Sequence, residues 1–229
     1  MTSLVLAAFF FFAIHGLVSA TGLRRVLVAR IGENAYRGIF SLASVAGLAW
    51  LIHAYATGTF EAPPLWETPE ALRPVVVVAM LPLLVLGIAG LTMRNPTSVG
   101  QEKALAAEEP AQGVLRITRH PFLVAVTGWA GLHALMNGDP PSLVLFGTML
   151  LIAVLGMRSI DAKRAAADGA AWTRYAAVTS RLPFAAIFGG RNRFSVAEIG
   201  WPRLLAGFLA WAVLLHYHGT LFGMPAVAS

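Results

Sequence analysis

The sequence predicts an all-α fold, a polytopic integral membrane helical bundle of about six transmembrane helices with both termini outside the cytoplasm. Composition is the first reason. Of the 229 residues, 57% are hydrophobic and only 12% charged, with a mean hydropathy of +0.70, whereas a soluble domain carries about a quarter charged residues. The second reason is length: the apolar residues gather into runs of roughly twenty, enough to cross about 30 Å of hydrocarbon as helix. The third is that the basic residues fall into alternate loops between those runs.

The expected spans are residues 2–21, 38–57, 74–93, 120–137, 141–158 and 202–222. The first has a competing reading as a secretory leader, because Val18-Ser19-Ala20 resembles a small-residue cleavage site. Against that, no positive charge precedes the apolar run, and arginines follow it. Before the second span, Glu33 is placed to pair with Arg37 four residues on and help start the helix. The fourth span opens on Arg119-His120-Pro121. Proline suits the first helical position, because its missing N–H would be unpaired there, and this puts His120 at the N-cap. The tight turn Asn137-Gly138-Asp139-Pro140-Pro141 joins the fourth span to the fifth.

Orientation follows from charge. The loops after spans one, three and five hold 16 of the 17 Lys and Arg residues, and the opposite side holds only Arg73 beside Glu61, Glu67 and Glu70. The positive-inside rule places those three loops in the cytoplasm. The net charge of +6 is explained by this distribution, so the expected partner is the lipid bilayer and no nucleic acid. One domain is expected over 1–229, containing a basic cytoplasmic connector at 158–201. Within that connector, 160–176 read as an Ala-rich surface helix and Leu182–Phe188 as a short apolar segment at the interface. The absence of cysteine excludes disulfides, thiolate metal sites and a cysteine nucleophile.

Six histidines lie in or at the spans: His15, His53, His120, His133, His216 and His218. Ionisable residues inside a membrane are functional candidates, because hydrocarbon penalises them unless they find partners. With the first helix running inward, His15 lies about 9 Å from its cytoplasmic end at 1.5 Å per residue, and His120 enters from the same side. His53, His133, His216 and His218 fall toward the outer ends. His120 and His133 are thirteen residues apart, about 20 Å along a helix, too far to bind one small ligand together.

The inner pair, His15 and His120, reads as axial ligands for haem iron, since bundle cofactor sites are built from side chains on facing helices. Ser19, Thr118 and Asn34 are candidate acceptors that would fix the ring tautomers. The plainer alternative is that His15 bonds a neighbouring helix and His120 caps its own. For the outer group the alternatives are an interfacial belt with Trp201 and Trp211, or a second metal or quinone site.

Several motifs occur in an order that resembles a known family. A histidine in the first span is followed by Gly32-Glu33-x-x-Tyr36-Arg37, Arg119-His120-Pro121, Trp129-x-x-x-His133-x-x-x-Asn137-Gly138, and Thr179-Ser180-x-x-Pro183-Phe184. This is similar to the NnrU family, whose superfamily includes the 15-cis-zeta-carotene isomerases. The resemblance covers nearly the whole chain. It implies six or seven spans in a bacterial inner (plasma) membrane, and either cis–trans isomerisation of a linear polyene or a role in nitrite and nitric oxide reduction (denitrification). It also implies b-type haem, with His15 and His120 in the positions of the ligand histidines and His133 a third family position. Phe122 departs from the Met or Gln that many relatives have after His-Pro.

Two further readings stand beside this one. A non-enzymatic assembly or electron-transfer partner of a respiratory reductase would use the basic loops and the Trp-rich sixth span as contact surface. In addition, Arg119-His120-Pro121 with Trp172-Thr-Arg-Tyr175 and Arg181-Leu-Pro183 resembles the isoprenylcysteine-type membrane methyltransferases, which use S-adenosylmethionine. Here Leu123 and Asp161-Ala-Lys-Arg164 replace the tyrosine and the paired glutamates usual in that family. No catalytic residue is assigned from the sequence.

Overall fold

The computed structural model describes residues 1–19 and 21–227, which form helices joined by loops with no strand among them. The proposed cleavage site ends on Ala20, outside the described residues. Five helical stretches are long and apolar enough to cross a membrane: Thr2–Ser19, Glu33–Thr57, Glu70–Thr92, Pro140–Val178 and Trp201–Phe222. The chain is a multi-pass membrane protein. The expected fourth span is a shorter apolar helix, Pro121–Met136, whose 16 residues give about 24 Å at 1.5 Å per residue, short of a full hydrocarbon crossing.

The chain forms two compact units: residues 1–69 with 130–156, and residues 70–129 with 157–227. In the first unit, α1 (Thr2–Ala13) continues into a π-helical turn, Ile14–Ser19, and then comes α2 (Gly22–Ile31). Thr21 caps α2 by accepting from Leu23 N at 3.2 Å. The third helix, α3 (Glu33–Thr57), packs on α1, and Leu4, Ala7 and Phe11 of α1 and Leu51 of α3 are buried. The two helices approach at Gly47, where an added Cβ would lie 3.0 Å from the Phe10 ring. Glu33 takes Arg37 at 2.8 Å as expected and also Arg24 at 2.7 Å, tying α2 to the start of α3.

The expected turn at 137–141 is present and locked. Leu65 N donates to the Gly138 carbonyl at 2.8 Å, and Asp139 Oδ1 accepts from Ser142 N at 2.9 Å. A Cβ on Gly138 would sit 2.2 Å from the Trp66 carbonyl oxygen, so the turn needs glycine for close approach.

In the second unit, α4 (Arg73–Thr92) pairs with α10 (Trp201–Phe222). Trp211 Nε1 donates to the Val77 carbonyl at 2.8 Å, and Gly207 lets α10 close onto Val85, 2.4 Å from where a Cβ would stand. A short α5 (Val114–Ile117) precedes α6 (Pro121–Met136). Leu86, Ala89, Val114, Ile117, Val124, Ala125 and Ile199 form the core beneath them. The expected fifth span and the Ala-rich surface helix after it are one helix, α7 (Pro140–Val178), broken at Gly169 with φ 48°. The interfacial segment contains α8 (Ala185–Phe188), and α9 (Val196–Ile199) leads into α10.

Candidate functional site

The segment that enters α6 is held from both sides by hydrogen bonds. Phe184 N donates to the Ile117 carbonyl, Arg119 N to that of Ser180, and Thr118 Oγ1 to that of Arg181, each at 2.9 Å. Thr97 Oγ1 donates to the Arg119 carbonyl at 2.9 Å. Proline starts the helix as the sequence predicts, with Val124 N donating to the His120 carbonyl at 2.9 Å.

This clamp presents His120, only 2% exposed, to a carboxylate on α7. Its Nε2 lies 2.7 Å from Asp161 Oδ1, whereas Nδ1 is buried with no hydrogen-bond partner. A carboxylate acceptor assigns the proton to Nε2 and leaves a lone pair on Nδ1. Asp161 Oδ2 faces two guanidinium groups, Arg181 Nε at 3.4 Å and Arg119 Nε at 3.6 Å. Arg119 lies over the Trp172 ring, 5.7 Å from its centroid. Burial lowers the pKa of Arg119, and Asp161 offsets this only in part.

One turn earlier, Arg116 anchors α5. Its guanidinium donates to Glu198 Oε2 at 2.6 Å, Glu198 Oε1 at 3.0 Å, Glu109 Oε1 at 2.6 Å and Asn192 Oδ1 at 2.7 Å. The hydrogen bond from Arg116 holds the Glu198 carboxyl down to a pKa of about 2, and Glu198 in turn raises that of Arg116. A cavity of about 820 Å³ opens beside this network, with Lys103, Glu109, Arg116, Arg174 and Tyr175 among its walls. A second, apolar groove of about 250 Å³ runs between α4 and α6, with Leu83, Gly87, Phe122 and Trp129 in its lining.

The first unit holds His15 in the π-helical turn, a distortion common at functional sites. His15 Nδ1 donates to the Phe11 carbonyl at 2.8 Å, and no hydrogen bond to Nε2 occurs among the described residues. Its ring lies 4.5 Å from that of Phe11 and 5.2 Å from that of Phe40.

The expected ring acceptors Ser19, Asn34 and Thr118 are therefore replaced by Phe11 and Asp161. Thr118 instead accepts from the His120 backbone N, at 3.3 Å. His133, in the first unit, packs its ring 5.0 Å from Phe146. His53 is exposed, His216 packs edge-on to Tyr217, and His218 Nδ1 donates to the Met224 carbonyl at 2.6 Å.

Among the described residues, no group of three or more His, Cys, Asp or Glu is placed to hold a bare metal ion. Haem iron asks less of the protein, one or two imidazole nitrogens with the other nitrogen of each ring oriented by an acceptor. His15 and His120 each meet that description within their own unit.

Asp161, Arg116 and Glu198 are the site residues that sequence reasoning missed. Asp161 stands out in the sequence only as an acid close after the fifth apolar run, replacing a glutamate pair in the methyltransferase comparison.

The fold and the clamp around His120 define a helical multi-pass membrane protein with a buried histidine–carboxylate site. The NnrU protein family profile matches residues 3–226, and the chain belongs to that family. It is similar to the chloroplastic 15-cis-zeta-carotene isomerase of Arabidopsis thaliana, 28% identical over 167 residues. That match covers 71% of this chain but 44% of the relative, so the chain spans under half the length of the curated protein it matches. No solved structure matches.

Proposed function

We propose that this chain is a cis–trans isomerase of a linear polyene that binds b-type haem, with His15 in the first unit and His120 in the second as the candidate ligands. The observation that carries the reading is that each of these imidazoles has one nitrogen tied to an acceptor and the other without a hydrogen bond, in a chain of the family related to a carotene isomerase. The topology that goes with it has six spans, α6 included, with both termini outside and the arginine-rich loops in the cytoplasm of a bacterial inner membrane.

The haem, when bound, supplies an iron centre that polarises a double bond. The protein's own residues do the rest. Asp161 and the Phe11 carbonyl orient the two rings. The apolar groove between α4 and α6 offers a dry surface for a linear hydrocarbon, with Phe122 bringing its lining to within two residues of His120. Purified chain expressed with haem supply should show a Soret band and convert 15-cis-zeta-carotene. A protein with no Soret band and no conversion overturns the proposal.

One observation favours a second reading, methyl transfer. The three sequence pieces behind the methyltransferase resemblance converge on Asp161, which takes His120 at 2.7 Å, Arg181 at 3.4 Å and Arg119 at 3.6 Å, with Trp172 stacked on Arg119. Calorimetric binding of S-adenosylmethionine supports this reading, and its absence removes it.

A further inference from the structure

Arg119 is a buried cation of the second unit whose donors are not satisfied. Its side chain is 12% exposed, yet its guanidinium makes no hydrogen bond among the described residues, and Nε is wholly buried. It has only the longer ion contact with Asp161 and the face of Trp172. Asp161 is shared with Arg181, so two cations face one carboxylate and a positive charge is left over. A guanidinium is a rigid fork of five donors that matches carboxylate and phosphate oxygens, and leaving such donors unpaired in the interior is costly.

Tyr175 is the second unsatisfied group. It is 1% exposed and its hydroxyl has no partner. Standing one turn after Trp172 on α7, it lies within electrostatic reach of Arg119 and forms part of the wall of the 820 Å³ cavity. That volume lies within the range of about 300–1,000 Å³ usual for small-molecule sites. The rest of that wall carries both signs, Lys103 and Arg174 beside Glu108 and Asp168, so the preference for an anion rests on Arg119 and on Tyr175, which of the two is the one that lines the cavity.

We propose that Arg119 and Tyr175 form a binding site for an oxyanion, the carboxylate or phosphate group of a ligand whose remainder occupies the adjoining cavity. The oxyanion takes the unspent Arg119 donors and the Tyr175 hydroxyl, and it neutralises the charge that Asp161 leaves over. Asp161 stays in place, since His120 holds its Oδ1 and Arg181 remains at its Oδ2. The proposal does not rest on haem or on isomerisation.

The test uses the full chain in phosphatidylcholine nanodiscs. Sodium phosphate is titrated against sodium chloride at constant ionic strength while the thermal unfolding midpoint is followed, and native mass spectrometry records any retained phospholipid. A saturable, phosphate-specific rise is expected, because a ligand that binds the folded state raises its stability. Arg119→Gln should weaken the apparent affinity at least about tenfold, since a charge-assisted bidentate contact is lost. Tyr175→Phe, which keeps the packing, should weaken it severalfold with an unchanged circular dichroism spectrum. An anionic phospholipid retained by the wild type and lost from Arg119→Gln supports the same site with a lipid headgroup as the source of the phosphate. The proposal is overturned if wild type shows neither effect, or if the effects survive both substitutions.

Discussion

Glu198→Gln removes the carboxylate that takes the Nε–Nη2 edge of the buried Arg116, and its cost depends on pH in a defined direction. The fall of the Glu198 pKa from the ordinary 4.5 to about 2 corresponds to about 3 kcal/mol of preference for the charged form. The side chain keeps 23% of its surface in water, so solvent screening reduces that to about 1–2 kcal/mol. A folded-state pKa below the unfolded one gives stability that is fully present above about 4.5 and is lost as pH falls toward 2. Thermal unfolding of wild type and Glu198→Gln in one detergent, at a fixed scan rate from pH 7 to pH 3, measures this. The variant should unfold earlier at pH 7, and the gap should narrow steadily below pH 4.5. A gap that is absent at pH 7, or that stays constant down to pH 3, refutes the reasoning.

The other structural predictions concern topology and packing. Because the chain has no cysteine, single cysteines report sidedness cleanly. Leu65→Cys, in an exposed loop after α3, should react with an impermeant maleimide on intact cells, and the exposed Val99→Cys only after the membrane is opened. The reverse pattern would invert the topology. Asp161→Asn leaves the buried Arg119 and His120 without their shared carboxylate, while the half-exposed Arg181 is screened by water, and should destabilise by about 3 kcal/mol as an uncompensated buried charge. A loss under about 1 kcal/mol by the same unfolding assay contradicts the hub role given to Asp161. Gly207→Val drives a side chain into the Val85 backbone, 2.8 Å from the new Cβ, and should cost about 1–3 kcal/mol by overpacking. An unchanged midpoint would show that α4 and α10 are not closely packed there.

Much of the fold was legible because local chemistry decided it. Pro121 sets a helix start, Asn137-Gly138-Asp139 sets a turn, and Glu33 meets Arg37 on one helical face, so each follows from residues a few positions apart. What escaped the sequence depends on pairs far apart in the chain. Asp161 reaches His120 across 41 residues and Glu198 reaches Arg116 across 82. Nothing local in Asp161-Ala-Lys-Arg164 distinguishes a hub from a surface acid.

The continuity of α7 past its apolar run was missed for a related reason. Its Ala-rich stretch is an adequate helix former whether or not it lies in a membrane. The π-helical turn at His15 leaves no compositional trace either. The candidate histidines were visible as ionisable groups in apolar runs, but the acceptors that orient them were not.

The account turns on iron at these imidazoles. Absorption spectra of the purified chain, expressed with haem supply, should be compared with those of His15→Ala and His120→Ala at matched protein concentration and fold. The account predicts a Soret band in the wild type that is lost or shifted in each variant, while His53→Ala leaves it unchanged. A wild-type protein without the band, or a band indifferent to both His15 and His120, would contradict it.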